Sequence, residues 1–319
     1  MALSRRTFLA ASACMVASGG VSAQTRYPVS PVTLVTHSSP GGGSDVFLRE
    51  LIKHLTPVMG TNFAVENVRG GSGAAAVAKV AKAAPNGGMF YATTPTYIQT
   101  SLLSKPEVGY DGLDPIVVVF LDPEVIYTRA ESPFKTLAEA VAYAKANPGK
   151  GKWGAANPAS LERIALERMK KVAGAQAAVV SHEGGGDLMI NVLNGTLDIG
   201  IGEIQEIRAQ LEAGKIRLLG VLTEKRLPDF ASLPTAREQG LDVVVTKFRG
   251  LAGPKGIPDE IAAQWERAIR QVLESPAFKA EYAKDSLVPV PMGRVEARAF
   301  VTKFAGEITA NLRELGVIK

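Results

Sequence analysis

The sequence predicts an α/β protein with two lobes, each a mostly parallel sheet flanked by helices. Short apolar segments alternate with amphipathic ones, as expected of strand–helix–strand units with right-handed crossovers. The alternation breaks near Asp122-Pro123 and then resumes, which indicates that the chain enters a second sheet. Apolar residues at 243–245 and 248–252 then return it to the first sheet. Two connections therefore join the lobes, and we expect a cleft between them.

The first lobe begins with a strand–helix–strand–helix–strand pattern. Residues 32–36 are apolar and β-branched, which is typical of a buried strand. In the next segment, apolar residues recur at helical spacing from Phe47 to Leu55, and the helix is predicted to end near Gly60. The other elements predicted here are a strand at 63–65, an alanine-rich helix at 74–83, a strand at 89–93, an irregular stretch at 94–115 and a strand at 116–121.

Residues typical of helix N-termini predict two helices in the second lobe. Thr136 and Glu139 have the spacing of a capping box, and Ser160 is placed to cap a helix that runs to about residue 172. The other predicted elements are a helix from Gly184 to Asn194, strands at 153–155, 177–180, 198–201 and 218–222, and C-terminal helices at 258–274, 276–284 and 295–315. The predicted domains are a leader at 1–23, lobe 1 at 24–122 and 246–319, and lobe 2 at 123–245.

The first 23 residues have the order of a twin-arginine export signal. Arg5 and Arg6 precede a weakly apolar stretch, and Val21-Ser22-Ala23 is typical of a small-residue cleavage site. Cys14 raises the alternative of a lipoprotein, but residues 11–13 lack the usual aliphatic residue ahead of it. We expect cleavage after Ala23 and export to the periplasm by the twin-arginine route.

Composition excludes several classes of site. Cys14 is the single cysteine, so we expect no disulfide, thiol nucleophile or thiolate metal site in the mature chain. The three histidines lack metal-ligand spacing, and no G-x-S-x-G or complete nucleotide-binding glycine motif is present. A net charge of +5 is too small to indicate nucleic-acid binding. We therefore expect no cofactor, no metal, no catalytic residue and no nucleic-acid partner.

Each predicted lobe has a glycine-rich strand-to-helix turn that ends in an acid. The two turns are Gly41-Gly42-Gly43-Ser44-Asp45 and Gly184-Gly185-Gly186-Asp187. A helix that starts at such a turn offers unpaired N–H groups and a positive dipole end, which favour an anion. Two turns facing each other across a cleft would clamp a small anion. The alternative, a tight turn that binds nothing, stays open.

Motifs spread over nearly the whole mature chain resemble one family. They are PVTLV at 31–35, PGGGSD at 40–45, VENVRGGSG at 65–73, VAKAAPNG at 80–87, LNGTLD at 193–198, AGKIRLL at 213–219 and GLAGP at 250–254. Each motif is moderately specific, whereas their order and spacing together are highly specific. The chain resembles the periplasmic solute receptors of tripartite tricarboxylate transporters, also called Bordetella uptake gene receptors.

The resemblance implies a Venus-flytrap periplasmic-binding-protein fold that closes on a small carboxylate. It also implies partnership with the membrane permease subunits of such a transporter, and we expect a monomer. An orphan receptor feeding a sensor, or an exported α/β enzyme on the same fold, remains the alternative. The candidate ligand-binding residues that match the family motifs are Gly42, Gly43, Ser44, Asp45, Thr93, Thr94, Ser160, Gly184, Gly185, Gly186 and Asp187. The candidate site also includes His182 and Glu203, which occupy positions where the family has other residues.

Two departures from the family pattern bear on the ligand. The usual Tyr-Lys-Gly is His182-Glu183-Gly184 here, and the usual Asp-Asn pair is Gly202-Glu203. Glu183 and Glu203 would oppose a second carboxylate unless they are protonated or paired. One hypothesis is a ligand with a carboxylate at one end and an amine, cation or hydroxyl at the other. The favoured alternative is that both acids point to solvent.

Overall fold

The chain forms two β-sheets, one in each lobe, and helices cover both faces of each sheet. The structure is a computed structural model that describes residues 27–314 and 316–319. The predicted export signal, its cleavage site after Ala23 and Cys14 lie outside these residues. Among the described residues, no helix is both long enough and apolar enough to cross a bilayer.

Lobe 1 is built on a six-stranded sheet with the strand order β11-β4-β10-β3-β1-β2. Its first three strands in sequence pair in parallel, whereas β10 runs antiparallel to β3 and β4, and β11 runs antiparallel to β4. These strands are β1 (Val32–Thr36), β2 (Phe63–Asn67), β3 (Met89–Thr93), β4 (Leu113–Asp122), β10 (Lys247–Pro254) and β11 (Val288–Met292).

Lobe 2 is built on a five-stranded sheet with the order β7-β6-β8-β5-β9. Strand β6 pairs in parallel with β7 and β8, and β5 runs antiparallel to β8 and β9. Both sheets are thus mixed rather than mostly parallel, because the strands that enter from the other lobe run against their neighbours. The strands are β5 (Glu124–Arg129), β6 (Lys152–Ala155), β7 (Ala178–Ser181), β8 (Ile199–Glu203) and β9 (Ile216–Val221).

The helices form a layer on each face of each sheet. In lobe 1, α1, α8 and α9 supply one hydrophobic cluster and α2, α3 and α10 the other; in lobe 2, α4 and α5 oppose α6 and α7. The helices are α1 (Gly43–Met59), α2 (Ala74–Ala81), α3 (Pro95–Ser104), α4 (Leu137–Ala146), α5 (Leu161–Ala173), α6 (Gly185–Leu193), α7 (Ile204–Glu212), α8 (Asp259–Glu274), α9 (Pro276–Lys284) and α10 (Arg294–Glu314).

The chain crosses between the sheets at two points that lie side by side. Strand β4 ends at Asp122, Pro123 intervenes, and β5 begins at Glu124 in the other sheet. The chain comes back at Lys247, the first residue of β10, which pairs along the whole length of β4. The ends of β4 and β10 therefore form the hinge region between the lobes.

Five parts of the chain differ from the sequence prediction. Helix α3 occupies part of the stretch predicted to be irregular, because polar Thr96, Gln99 and Thr100 are buried there and break the expected apolar pattern. Strands β5 and β11 and helix α7 were not predicted. Residues 243–245 are not a strand, although Val243 is buried in the lobe-2 core. The two predicted helix caps are confirmed: Thr136 forms a reciprocal capping box with Glu139, and the Ser160 hydroxyl accepts from the Arg163 N–H at 3.2 Å.

The capping box of α4 gives a direct test of this local structure. Replacing Thr136 by Ala removes the acceptor for the Glu139 N–H, so we expect the free energy of unfolding to fall by about 1 kcal/mol. Urea denaturation monitored by circular dichroism measures it. The matched control is Thr302→Ala, at an exposed position inside α10, which should leave stability unchanged or slightly raised. Equal losses in the two variants would contradict the capping role.

Candidate functional site: the cleft between the lobes

The cleft lies where several helices of both lobes begin. Lobe 1 contributes Gly43 and Ser44 from the first turn of α1, and Thr94 and Thr96 from the start of α3. Lobe 2 contributes Glu162 of α5, Gly185 of α6, and Glu203 and Glu206 from the start of α7, and His37, Ser38, Ala156, Asn157 and Lys247 complete the lining. Helix N-termini from both lobes therefore point their positive dipole ends at one space.

The lobes meet closely at this cleft. A side chain at Gly184 would collide with Ser39 of lobe 1, and one at Gly186 would come within 2.7 Å of the Pro40 carbonyl oxygen. Arg69 of lobe 1 and Asp187 of lobe 2 form an ion pair of 2.6 Å across the rim. The free space is about 20 Å³, room for about one water molecule. The two glycine turns thus face each other in a closed arrangement.

A cluster of buried charges forms the floor of the cleft, and we call it the hinge charge cluster. Its cations are Lys247 and Arg249, which are two residues apart on β10 and so point to the same side of the sheet. Lys247 contacts the carboxylates of Glu124, Glu162 and Glu203, with 3.0 Å to Glu124. The cluster is defined as Lys247, Arg249, Asp122, Glu124, Glu162, Glu203 and Glu206.

Arg249 ties this cluster to the first glycine turn. Its Nε donates to Asp122 at 2.7 Å, its Nη1 donates to the Ser44 hydroxyl at 2.7 Å, and its Nη2 lies 2.8 Å from Glu203. The Arg249 side chain is only 1% exposed. One guanidinium therefore links the end of β4, the start of α1 and the start of α7.

The protonation of the cluster depends on which carboxyl has a cation beside it. Burial alone would raise the pKa of Glu203, but the charges of Lys247 and Arg249 outweigh it and hold the pKa below its usual value. Burial would also raise the pKa of Glu162, but the charge of Lys247 outweighs burial and lowers it. Burial raises the pKa of Glu124 well above its ordinary value, only partly offset by Lys247. Burial and the charge of Glu203 raise the pKa of Glu206 in the same direction.

The histidines near the cleft do not add positive charge. Burial, together with Lys247, lowers the pKa of His37 to about 4, and its Nδ1 lies 2.7 Å from the Tyr91 hydroxyl. Burial also lowers the pKa of His182, which is half-buried and does not line the cleft. Both rings are thus neutral at neutral pH.

The structure separates the residues predicted to bind ligand into two groups. Gly43, Ser44, Thr94, Gly185 and Glu203 line the cleft. The other predicted residues do not line it. Gly42 and Gly184 are the N-cap residues of α1 and α6, Ser160 caps α5, and Thr93 lies in β3. Gly186 packs on Pro40, Asp187 pairs with Arg69, and His182 lies outside the lining of the cleft.

Asp45 shapes the first glycine turn. It accepts hydrogen bonds from the Gly41 N–H, from Asn67 and from Arg49, each at 3.0 Å. Both of its carboxylate oxygens are therefore engaged within lobe 1, and its side chain fixes the conformation of the turn.

The two acids singled out in the sequence have different surroundings. Glu183 is exposed, in agreement with the expectation that it points to solvent. Glu203 is 3% exposed and paired with Lys247 and Arg249, so the same expectation was wrong for Glu203. Its position at the N-cap of α7, opposite Gly43, directs the carboxylate into the space between the lobes.

Sequence reasoning missed the two cations and most of their partners. Lys247 and Arg249 flank Phe248 in an otherwise apolar return strand, and Asp122 and Glu124 flank Pro123 at the crossing. Charged residues at alternate positions of strands that are expected to be buried are the signal that could have found them. A buried charge is retained only where it is paired.

A known protein family matches most of this chain. The family described as "Tripartite tricarboxylate transporter family receptor" matches residues 47–315 of the chain. The chain belongs to this family. A UPF0065 protein from the gbd 5′ region of Cupriavidus necator is 27% identical over 298 residues, which span 92% of this chain and 90% of the relative.

Solved structures support the family assignment and its fold. R. palustris Rpa4515, solved with adipate, superposes with a TM-score of 0.86 at 25% identity, covering 91% of this chain and 98% of that one. The periplasmic binding protein BugD superposes with a TM-score of 0.86 at 23% identity, covering 92% and 100%. The two-lobed periplasmic-binding-protein fold is thus confirmed.

A second space lies between the lobes, where α5 of lobe 2 meets α10 of lobe 1. It has a volume of about 180 Å³ and is bounded by α5, α10 and residues 244–246. Leu161, Ile164, Phe304 and Ile308 give it mainly apolar walls. It is larger than the space in the cleft but lacks converging helix starts and buried charges, so the chemistry of this receptor is concentrated in the cleft.

Removing the central cation tests the hinge charge cluster. Lys247→Met leaves Glu162 and Glu203 buried without an ammonium group, so we expect the free energy of unfolding at pH 7.5 to fall by about 3–5 kcal/mol. In the native protein these two carboxyls have lowered pKa values, so their contribution is present at neutral pH and lost as the pH falls below the unfolded pKa.

In the Lys247→Met variant Glu203 keeps Arg249, whereas Glu162 loses the cation that offsets its burial, so its folded-state pKa rises above the unfolded one. For Glu162 the sign reverses, and stability is lost as the pH rises. The difference between native and variant protein should therefore shrink from pH 7.5 to pH 5 in urea titrations. The control is Lys279→Met, which breaks an exposed pair with Glu274 and should change stability by less than about 0.5 kcal/mol. A loss that is independent of pH would overturn the ionic role of Lys247.

Proposed function

We propose that this protein is an extracytoplasmic receptor that captures a small carboxylate between its lobes. The observation that supports this most directly is the convergence of helix N-termini from both lobes on one closed cleft. A carboxylate is stabilised there by unpaired N–H groups and by the dipoles of the helices. The family membership and the adipate held by Rpa4515 point to the same class of ligand.

Lobe 1 offers the better wall for a carboxylate. Thr94 is the N-cap residue of α3, yet its hydroxyl makes no capping hydrogen bond and is buried without a partner. The first turn of α3 contains no acid, so its dipole is not yet compensated by the protein. Thr94 and Thr96 can therefore donate their hydroxyl protons to a carboxylate placed at this helix start.

Binding requires the lobes to separate and close again. The space in the cleft is too small for a solute of several heavy atoms, and the two glycine turns contact each other directly. The lobes are connected through β4–β5 and β10, whose adjacent ends can serve as a hinge. We propose a binding role without catalysis, because Glu162 and Glu203, the carboxyls of the cleft with lowered pKa values, are tied to Lys247 and Arg249.

The wider assignment follows the family. We propose that the mature protein begins at Gln24 after twin-arginine export, acts in the periplasm as a monomer, and delivers its solute to the membrane permease subunits of a tripartite transporter. The family description supports the transporter partner. Co-purification of the tagged receptor with permease subunits in the presence of the solute tests this step, and transport that persists without the receptor contradicts it.

A ligand screen tests the receptor role. Protein starting at Gln24 is unfolded, dialysed and refolded to remove bound solute, then heated with mono-, di- and tricarboxylates, aromatic acids and amino acids. A ligand that binds only the folded state adds about 2.7 kcal/mol at a hundred times its dissociation constant, which raises the melting temperature. No shift with any of these classes would contradict the proposal.

The Thr94 hydroxyl gives the screen a site-specific check. Thr94→Val keeps the shape of the side chain but removes a donor to a charged group, worth about 1.5–3 kcal/mol. We expect the dissociation constant of the best carboxylate to rise about ten- to a hundredfold. Thr302→Val, at an exposed position on α10, is the control and should bind as the native protein does. Unchanged binding by Thr94→Val would place the carboxylate elsewhere.

A further inference from the structure

The lobe-2 wall of the cleft is acidic. Among the described residues that line the cleft, Lys247 is the only ammonium or guanidinium group, against the carboxyls of Glu162, Glu203 and Glu206. Lys247 is already in contact with two of these carboxylates and with Glu124 behind them. A second carboxylate of a solute would find no free cation on this wall and would face carboxyl groups instead.

Two of these carboxyls have oxygens that lack a hydrogen-bond partner. Glu162 Oε2 and Glu206 Oε1 are both buried and unpartnered, and the Glu162 side chain is only 4% exposed. Lys247 holds the pKa of Glu162 below its usual value, and an ionised carboxylate can only accept hydrogen bonds, so Glu162 Oε2 requires a donor. An ammonium group supplies three N–H donors together with a positive charge. A buried, unpartnered acceptor on the wall of a binding cleft is the kind of atom that a ligand is expected to satisfy.

Glu206 is the carboxyl that most clearly lacks a cation. The pKa of Glu162 and that of Glu203 are lowered because Lys247 outweighs the effect of burial. By contrast, burial and the neighbouring charge of Glu203 raise the pKa of Glu206, with Lys247 compensating only in part. A cation placed beside Glu206 would remove this imbalance.

The start of α1 is already covered by a carboxylate of the protein. A Cβ atom at Gly43 would lie 2.5 Å from Glu203 Oε2, so the Glu203 carboxylate packs directly on the first residue of this helix. The carboxylate of a solute is thereby directed to the start of α3, where Thr94 and Thr96 lie and no acid is present. The two walls therefore favour opposite charges.

A metal ion is a weaker candidate for the positive group. Oxygens of Glu124, Glu162 and Glu203 lie within 4.8 Å of one another, as ligands of an ion would. Lys247 Nζ contacts all three carboxylates, so the protein's own ammonium group already serves as the cation of this triad. The unpartnered oxygens of Glu162 and Glu206 remain available to a different cation.

We infer that the solute of this receptor is an amino-carboxylate, whose carboxylate binds at the start of α3 and whose ammonium group binds Glu162 and Glu206. The inference rests on the proposed function and specifies its ligand. It predicts that replacing one carboxylate of a diacid by an ammonium group, or adding an ammonium group to a diacid, strengthens binding.

Matched ligands provide the test. Isothermal titration calorimetry on refolded, ligand-free protein compares succinate with 4-aminobutyrate, succinate with aspartate, and adipate with 2-aminoadipate. We expect at least one amino-carboxylate to bind tenfold or more tightly than its matched diacid. Diacids that bind as tightly as every amino partner would overturn the inference but leave the receptor role intact. No binding by either group, nor by any other carboxylate, would count against both.

Variants assign the effect to the acidic wall. Glu206→Gln keeps the shape of the side chain but cannot ionise beside an ammonium group, so the ratio of diacid to amino-carboxylate dissociation constants should fall about tenfold. A purely structural role would weaken both ligands equally and leave the ratio unchanged, which would contradict the assignment. Glu162→Gln provides a second, independent variant, and Glu212→Gln, exposed at the end of the same helix as Glu206, is the matched control.

Discussion

The ionic contacts of Lys247 and Arg249 are the constraint on which the arrangement of the lobes depends. Taking an isolated ion out of water costs several kcal/mol, and only close opposite charges offset that cost. Both cations lie on the return strand β10, whereas Glu162 and Glu203 belong to lobe 2. The contacts are satisfied only when the start of α5 and the start of α7 are brought against the hinge, so the position of lobe 2 and the charge of the cleft floor are coupled.

The same contacts give the cleft two different walls. Acids at the beginning of a helix are stabilised by its dipole, and Glu162 and Glu206 occupy such positions in α5 and α7. On lobe 1 the corresponding positions hold hydroxyls, and the one acid in the first turn of α1, Asp45, is turned away to Gly41 and Arg49. A polar molecule in the cleft is therefore oriented as well as bound, because reversing it would place like charges together.

Much of the fold could be predicted from local signals, whereas the hinge charge cluster could not. The strand–glycine–helix turns and the caps at Thr136 and Ser160 depend on residues that lie close together in sequence. Helix α3 was missed because its buried face includes Thr96 and Gln99, which carry no apolar periodicity. The ion pairs of Lys247 and Arg249 join residues 85 and 127 positions apart, to Glu162 and Asp122 respectively. Which charges meet over such separations is decided by sheet order and not by any local pattern.

Sheet register explains why this cluster needs its cations. Glu124 of β5 lies opposite Glu203 of β8, and like charges opposite each other in a ladder are destabilising. Lys247 pairs with Asp122 in the neighbouring sheet and reaches both glutamates from there. The family scaffold thus tolerates an acid at position 203 because the return strand supplies the compensating charge. Lys247 and Arg249 form no ion pair with Glu206, which lines the cleft. The inferred solute supplies the missing positive charge through its ammonium group.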